Sequence, residues 1–155
     1  MKKLIVAALM AITFSQASAD GVKIRDVFRE MPDSLMPYLS LNNRLDFIDF
    51  LDSGMKAEVR NTLGGMSEMT SMADDSLTIR MSKGLRVDML VMDSTVVMIE
   101  TFLVDSIYGE SKVSYFTTQW RPLQQPSLSE AQKQRISILK LQNIVKRDDD
   151  LLNKR

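Results

Sequence analysis

The sequence predicts an α+β fold: N-terminal helices packed on a four- to five-stranded antiparallel sheet, with a C-terminal tail helix. Three observations lead there. Apolar residues recur at helical spacing between Ile24 and Leu51. After Gly64-Gly65 the period drops to two, and turn residues separate the alternating runs. Beyond Pro126, Ser129 and Gln132 have capping-box spacing ahead of a last amphipathic stretch.

The chain opens with Lys2-Lys3, a nearly unbroken apolar run from Leu4 to Phe14, and the small residues Ala17-Ser18-Ala19. These are the three parts of a secretory signal peptide over residues 1–19, an address rather than a part of the fold. The expected mature chain starts at Asp20. A lipoprotein would carry Cys there, so the expectation is a released periplasmic or secreted protein. Residues 20–123 are expected to form the α+β domain and 124–155 a linker and tail helix.

Ile24, Val27, Phe28 and Met31 stand at i, i+3, i+4 and i+7, which predicts a first helix stopped by Pro32. Asp33 and Ser34 are caps for a short second helix through Leu35, Met36, Tyr38 and Leu39, with Pro37 tolerated only in its first turn. Asn42 and Asn43 are cap candidates for a third. Its stripe is Leu45, Ile48 and Leu51, widened by Phe47 and Phe50, with Gly54 as the stop. Met55, Val59 and Leu63 lie four apart and suggest another helical turn or two; an extended Glu58–Thr62 is the alternative.

Leu77, Ile79 and Met81 then alternate with polar residues, as do Leu85, Val87 and Met89 after the Lys83-Gly84 turn. Asp93-Ser94 is a second turn. Val96 to Leu103 and Val113 to Thr118 are further alternating runs, joined by a turn around Tyr108-Gly109-Glu110. This is an antiparallel meander, to which Met66–Met72 adds an edge strand. Arg121-Pro122 ends the sheet. The tail helix runs from about Leu128 to Lys146, with Ile138, Leu141 and Val145 on one side. It either packs on the sheet or docks on a partner.

Composition narrows the chemistry. The 155 residues hold 20 basic and 20 acidic side chains, and loss of Lys2 and Lys3 leaves a slightly acidic mature chain. That balance provides no global field for nucleic acid or an acidic membrane. No later stretch is apolar enough to span a membrane, since Asp93 and Glu100 break Met89–Val104. Cys and His are both absent. This excludes disulfides, thiol nucleophiles, a Ser-His-Asp triad and the familiar zinc sites. Carboxylate, Lys or Tyr chemistry and pure binding survive, and no cofactor is expected.

Several strings carry a resemblance. They are Met31-Pro32-Asp33-Ser34-Leu35-Met36-Pro37-Tyr38-Leu39, Asn42-Asn43-Arg44-Leu45-Asp46-Phe47-Ile48-Asp49-Phe50, Ser53-Gly54-Met55-Lys56-Ala57-Glu58-Val59, Leu63-Gly64-Gly65, and Phe116-Thr117-Thr118-Gln119-Trp120 with Pro122-Leu123. Together these resemble a family of exported Bacteroidales proteins catalogued as a domain of unknown function, DUF3256. The resemblance covers Met31 to Leu123 and implies a periplasmic or secreted protein. It implies no activity, ligand or site residue.

Several constellations are candidate sites. Met66, Met69 and Met72 form M-x-x-M-x-x-M, and thioethers suit Cu(I); Met is also ordinary adaptable core filler. Glu100 interrupts a strand between Met98 and Phe102, where a carboxyl with a raised pKa would serve as an acid; the alternative is an ion pair with Arg80 or Arg86. Asp46, Asp49 and Asp52 invite glycosidase chemistry, but that spacing also makes a wet helix face, and Asp74-Asp75 and Asp148-Asp149-Asp150 lack the pattern of a calcium loop. Tyr108, Tyr115, Phe116 and Trp120 gather near the last strand as a binding surface for a sugar or peptide, or as packing anchors.

The leading expectation is a non-enzymatic binding module of the cell envelope. Its uncovered sheet face or an edge strand would contact a protein, peptide or glycan. A small carboxylate-dependent hydrolase using Glu100 is the alternative, and a thioether copper binder the third reading. The helix-helix-sheet order resembles small envelope modules that recognise proteins, an analogy of fold alone.

Overall fold

The computed structural model describes residues 21–103 and 109–140. Residues 1–19, where a signal peptide is expected, and Asp20, Tyr108, Leu141, Val145 and the Asp148–Asp150 run lie outside the described residues.

Helix α1, Ile24–Arg29, buries Ile24, Val27 and Phe28 as the spacing predicts. Met31 remains in the core past its end. The predicted second helix is a single 3-10 turn, Asp33–Leu35. Pro37 is the reason: it drives Met36 out of the helical region, to φ −144° and ψ 71°.

Helix α2, Leu41–Asp52, starts earlier than a cap at Asn42 or Asn43 allows. Ser40 is the N-cap. Its Oγ accepts from the Asn43 N–H at 3.3 Å, and Asn43 Oδ1 accepts from the Ser40 N–H at 3.2 Å. Asn43 is therefore the reciprocal member of a capping box. The buried side is Arg44, Phe47 and Ile48, while Leu45 and Leu51 are half-buried. Gly54 stops the helix at φ +67°, a backbone state in which glycine has no Cβ penalty.

Seven antiparallel strands follow in sequential order, where four or five were expected. They are β1 Glu58–Arg60, β2 Met66–Met72, β3 Ser76–Arg80, β4 Leu85–Met92, β5 Thr95–Leu103, β6 Gly109–Thr117 and β7 Pro122–Leu123. The extended alternative at Glu58 is the one that forms, and β1 makes β2 an interior strand rather than an edge. Pro122 does not end the sheet. It pairs with Phe116 at the far edge, where a residue without N–H is tolerated. Strands of two or three residues are too short to show a period, which is why both edges escaped the sequence pattern. Gly109 and Glu110 already belong to β6.

The sheet has two covered faces. On the first, Leu77, Ile79, Val87, Met89 and Met98 pack beneath α1 and α2. On the second, Leu90, Met92, Val97 and Ile99 pack beneath the tail helix, α3, which is helical from 130 to 140. Alternation along β4 and β5 sends neighbouring residues to opposite cores. The capping box that opens α3 forms as predicted: Ser129 N–H donates to Gln132 Oε1 at 2.8 Å, and Gln132 N–H to Ser129 Oγ at 3.2 Å.

Of the stripe Ile138, Leu141 and Val145, only Ile138 lies among the described residues, and it does not face the sheet. Ile136 and Leu139 face the sheet, and Ile138 is 45% exposed. Polar contacts accompany this rotation. Arg135 makes a bidentate pair with Asp75 at 2.7 and 3.0 Å, and Gln132 Nε2 donates to Asp93 Oδ2 at 2.9 Å. The helix thus spans the β2–β3 and β4–β5 turns.

Candidate functional site

The residues singled out in the sequence do not converge. Met69 and Met72 pair with Ile79 and Leu77 on the helix-covered face, aided by a bulge between Met69 and Ser71. Met66 has the opposite parity and is exposed. Most of the remaining methionines of the described residues are buried, Met31, Met36, Met81, Met89, Met92 and Met98 among them. Glu100 is half-buried and pairs across the strand with Lys112, Nζ to Oε2 3.5 Å, rather than with Arg80 or Arg86. Asp52 is engaged by Arg25 in a bidentate pair that joins α1 to α2.

The aromatic group is divided between the two faces. Phe116 and Trp120 are buried in the first core, with ring centroids 5.4 Å apart. Trp120 has φ +63°, so a tight turn folds its indole back to donate Nε1–H to the Val27 carbonyl at 2.8 Å. Tyr115 belongs to the second face, beside Leu123 on β7.

An unassigned constellation lies on the second face. α3 covers only its apolar part. The rest, over β2, β3 and β4, is polar because Ser71, Thr78, Arg80, Arg86 and Asp88 occupy the positions that alternate with core residues. Two adjoining cavities of about 480 and 360 Å³ share Ser71, Thr78 and Arg86 and together make an open groove. The larger is lined by Thr70, Ser71, Thr78 and Ser82, by Arg80, Lys83 and Arg86, and by Leu85 and Leu103. Among the described residues no carboxylate lines it. The smaller adds Asp88 and reaches Leu90, Arg135, Ile138 and Leu139 at the side of α3.

Asp88 is 1% exposed. Its Oδ1 accepts from Thr78 Oγ1 at 2.6 Å and from Arg86 Nη2 at 2.9 Å. Its Oδ2 and the Arg86 Nε are buried without a hydrogen-bond partner among the described residues. Buried polar atoms are usually satisfied, and leaving one unpaired costs about 1–3 kcal/mol. One donor and one acceptor therefore lie unpaired just beneath the groove floor, closed to solvent. A third cavity of about 300 Å³ continues past Arg80 and Lys83 to Glu58 and Glu68. There Lys56 pairs with Glu58 and Arg80 with Glu68, so neither carboxylate is free.

Sequence reasoning missed this site for a physical reason. Arg86 and Asp88 read as the wet side of an exposed strand. The available signal was that Leu90 and Met92 continue the same parity, so polar and apolar stretches share one face of β4. Among the described residues no cluster of three or more Asp or Glu side chains is placed to hold a metal ion. None of their helices is long and apolar enough to cross a membrane.

Comparison with known proteins agrees with this architecture. No curated protein matches the chain. A solved structure of a domain of an uncharacterized protein from Porphyromonas gingivalis W83 superposes with a TM-score of 0.55 at 22% identity. The match covers 68% of this chain and 59% of that one, so the chain spans somewhat over half of that structure, and the likeness shows a shared fold. The profile of a family described as a protein of unknown function, DUF3256, matches residues 16–151, extending past Leu123 through α3. Helices, sheet and tail all fall within that match, and the chain belongs to the DUF3256 family.

Proposed function

We propose that the mature chain is a non-enzymatic binding module of the bacterial envelope, and that the groove beside α3 is its recognition site. The observation that carries this reading is the Arg86–Asp88 pair, whose Nε and Oδ2 lack hydrogen-bond partners among the described residues and lie just beneath an open groove. Binding a ligand there recovers the hydrogen bonds that folding left unmade. The signal peptide at 1–19 supports export to the periplasm or beyond. A hydrolase reading has less support. Glu100 is ion-paired to Lys112, and among the described residues Asp88 is the sole carboxylate lining the two groove cavities.

The test has two parts. Intact mass of the protein recovered from the native host should correspond to a chain beginning at Asp20. Amide NMR shifts of that chain should move at Ser71, Thr78, Arg86 and Asp88 on titration with envelope glycan fragments or short peptides, and the ligand should be recovered unchanged. Shifts confined to other surfaces overturn the groove assignment, and a cleaved ligand overturns the non-enzymatic reading.

A further inference from the structure

The groove's two ends differ in chemistry, and that difference names a ligand class. Resting on the reading of the groove as a binding site, we propose that it takes the free C-terminus of a polypeptide. The 480 Å³ end gathers Arg80, Lys83 and Arg86 among hydroxyls. Arg80 is shared with Glu68 and Arg86 with Asp88. Lys83 is exposed and has no ion pair among the described residues. Such a set calls for a group that only accepts hydrogen bonds and carries negative charge.

Asp88 narrows the choice. Its Oδ2 is unpaired among the described residues and closed to solvent, so a ligand donor reaches it only as the side chain turns toward the groove. That donor stands close to the anion, because Arg86 and Asp88 are two residues apart on one strand and point to the same side. The last residue of a peptide supplies both: a carboxylate and, on the same Cα, an N–H. Sulfate supplies the charge without a donor, and phosphate, whose P–OH can donate, lacks the aliphatic group that the rest of the groove suits. Beyond Asp88 the smaller cavity becomes apolar at Leu90, Ile138 and Leu139, which suits an aliphatic side chain near the terminus. The ligand then lies with its carboxylate toward Lys83, its N–H on Asp88 and its side chain against α3. Capture of a terminal carboxylate is an established recognition mode.

The probes are acetyl-Ala-Ala-Leu as the free acid, the same peptide as its C-terminal amide, the free acid N-methylated at Leu, and inorganic phosphate alone. Each is titrated into the mature chain by amide NMR. The free acid should bind about tenfold more tightly than the amide, the size of one charge-assisted hydrogen bond, and more tightly than the N-methyl form. Lys83→Ala, on an exposed loop, should abolish the preference for the acid while the spectrum stays folded. Equal binding of acid and amide, or phosphate binding as tightly as peptide, overturns the C-terminal assignment and leaves the groove as a binding site. Groove shifts with glycan fragments but with no peptide do the same. If no probe or glycan moves a groove residue, the binding-site reading itself falls.

Discussion

Arg44 shows how a charged residue becomes part of a core. It is 2% exposed, yet Nη1 donates to Asp33 Oδ1 at 2.7 Å and to the Leu39 carbonyl at 2.9 Å, and Nη2 to the Met31 carbonyl at 2.6 Å. One guanidinium thereby fixes the non-helical chain from Met31 to Leu39, whose two prolines deny it a helix's own hydrogen bonds. Asn61 acts similarly beyond β1. Its Oδ1 accepts from the Leu63 and Gly65 N–H groups at 3.0 and 3.1 Å, and its Nδ2 donates to Ser67 Oγ at 3.0 Å. Arg44 and the Leu63–Gly65 turn that Asn61 holds belong to strings that carry the family resemblance, and both are explained by architecture. Arg44→Ala should cost about 3 kcal/mol, because it strands buried carbonyls and unties the loop. Urea denaturation checks this, and a loss below about 0.5 kcal/mol, the usual surface effect, contradicts the clamp.

Among the elements, α3 carries the clearest consequences. It makes the sheet a middle layer and decides which part of the second face stays open. Ending the chain at Pro126 should expose Leu90, Met92, Val97 and Ile99 and lower stability by about 3 kcal/mol or more, from the burial those side chains lose. Ile136→Ala keeps the chain length and should cost about 2 kcal/mol or more by leaving a cavity. Unchanged thermal melts for both would mean that the tail does not pack on its own domain. The Asp75–Arg135 pair adds a pH dependence. The guanidinium hydrogen-bonded to Asp75 holds its carboxyl below the ordinary 3.8, and the carboxylate in turn raises Arg135. The folded value lies below the unfolded one. The pair's contribution is therefore complete above the unfolded value and is lost as pH falls through the folded value. Both partners are roughly half-exposed, so the effect stays under about 1 kcal/mol. The melting-temperature gap between wild type and Asp75→Asn should close as pH drops below 3.8. A gap that persists undiminished in more acidic solution contradicts the sign.

At the scale of the molecule, local patterning carried the fold class. Period-3.6 stripes, the change to period two after Gly64-Gly65, the Asp93 turn and the Ser129 box were legible because each depends on residues close in sequence. The two-residue and three-residue edge strands were not, since their ladders are set by partners elsewhere. The candidate site was legible only as scattered polar residues. Thr78, Arg86 and Asp88 look like an ordinary wet face until the placement of α3 leaves an open groove over them beside Ile138, with Asp88 itself buried. Phe116 and Tyr115 look like one aromatic group until strand parity sends them to different cores. The sequence by itself determined the α+β class, the order of elements and the chemistry that absent His and Cys exclude. Tertiary structure alone decided the number of strands, the second covered face and the groove, because burial depends on which distant segments come to rest against each other.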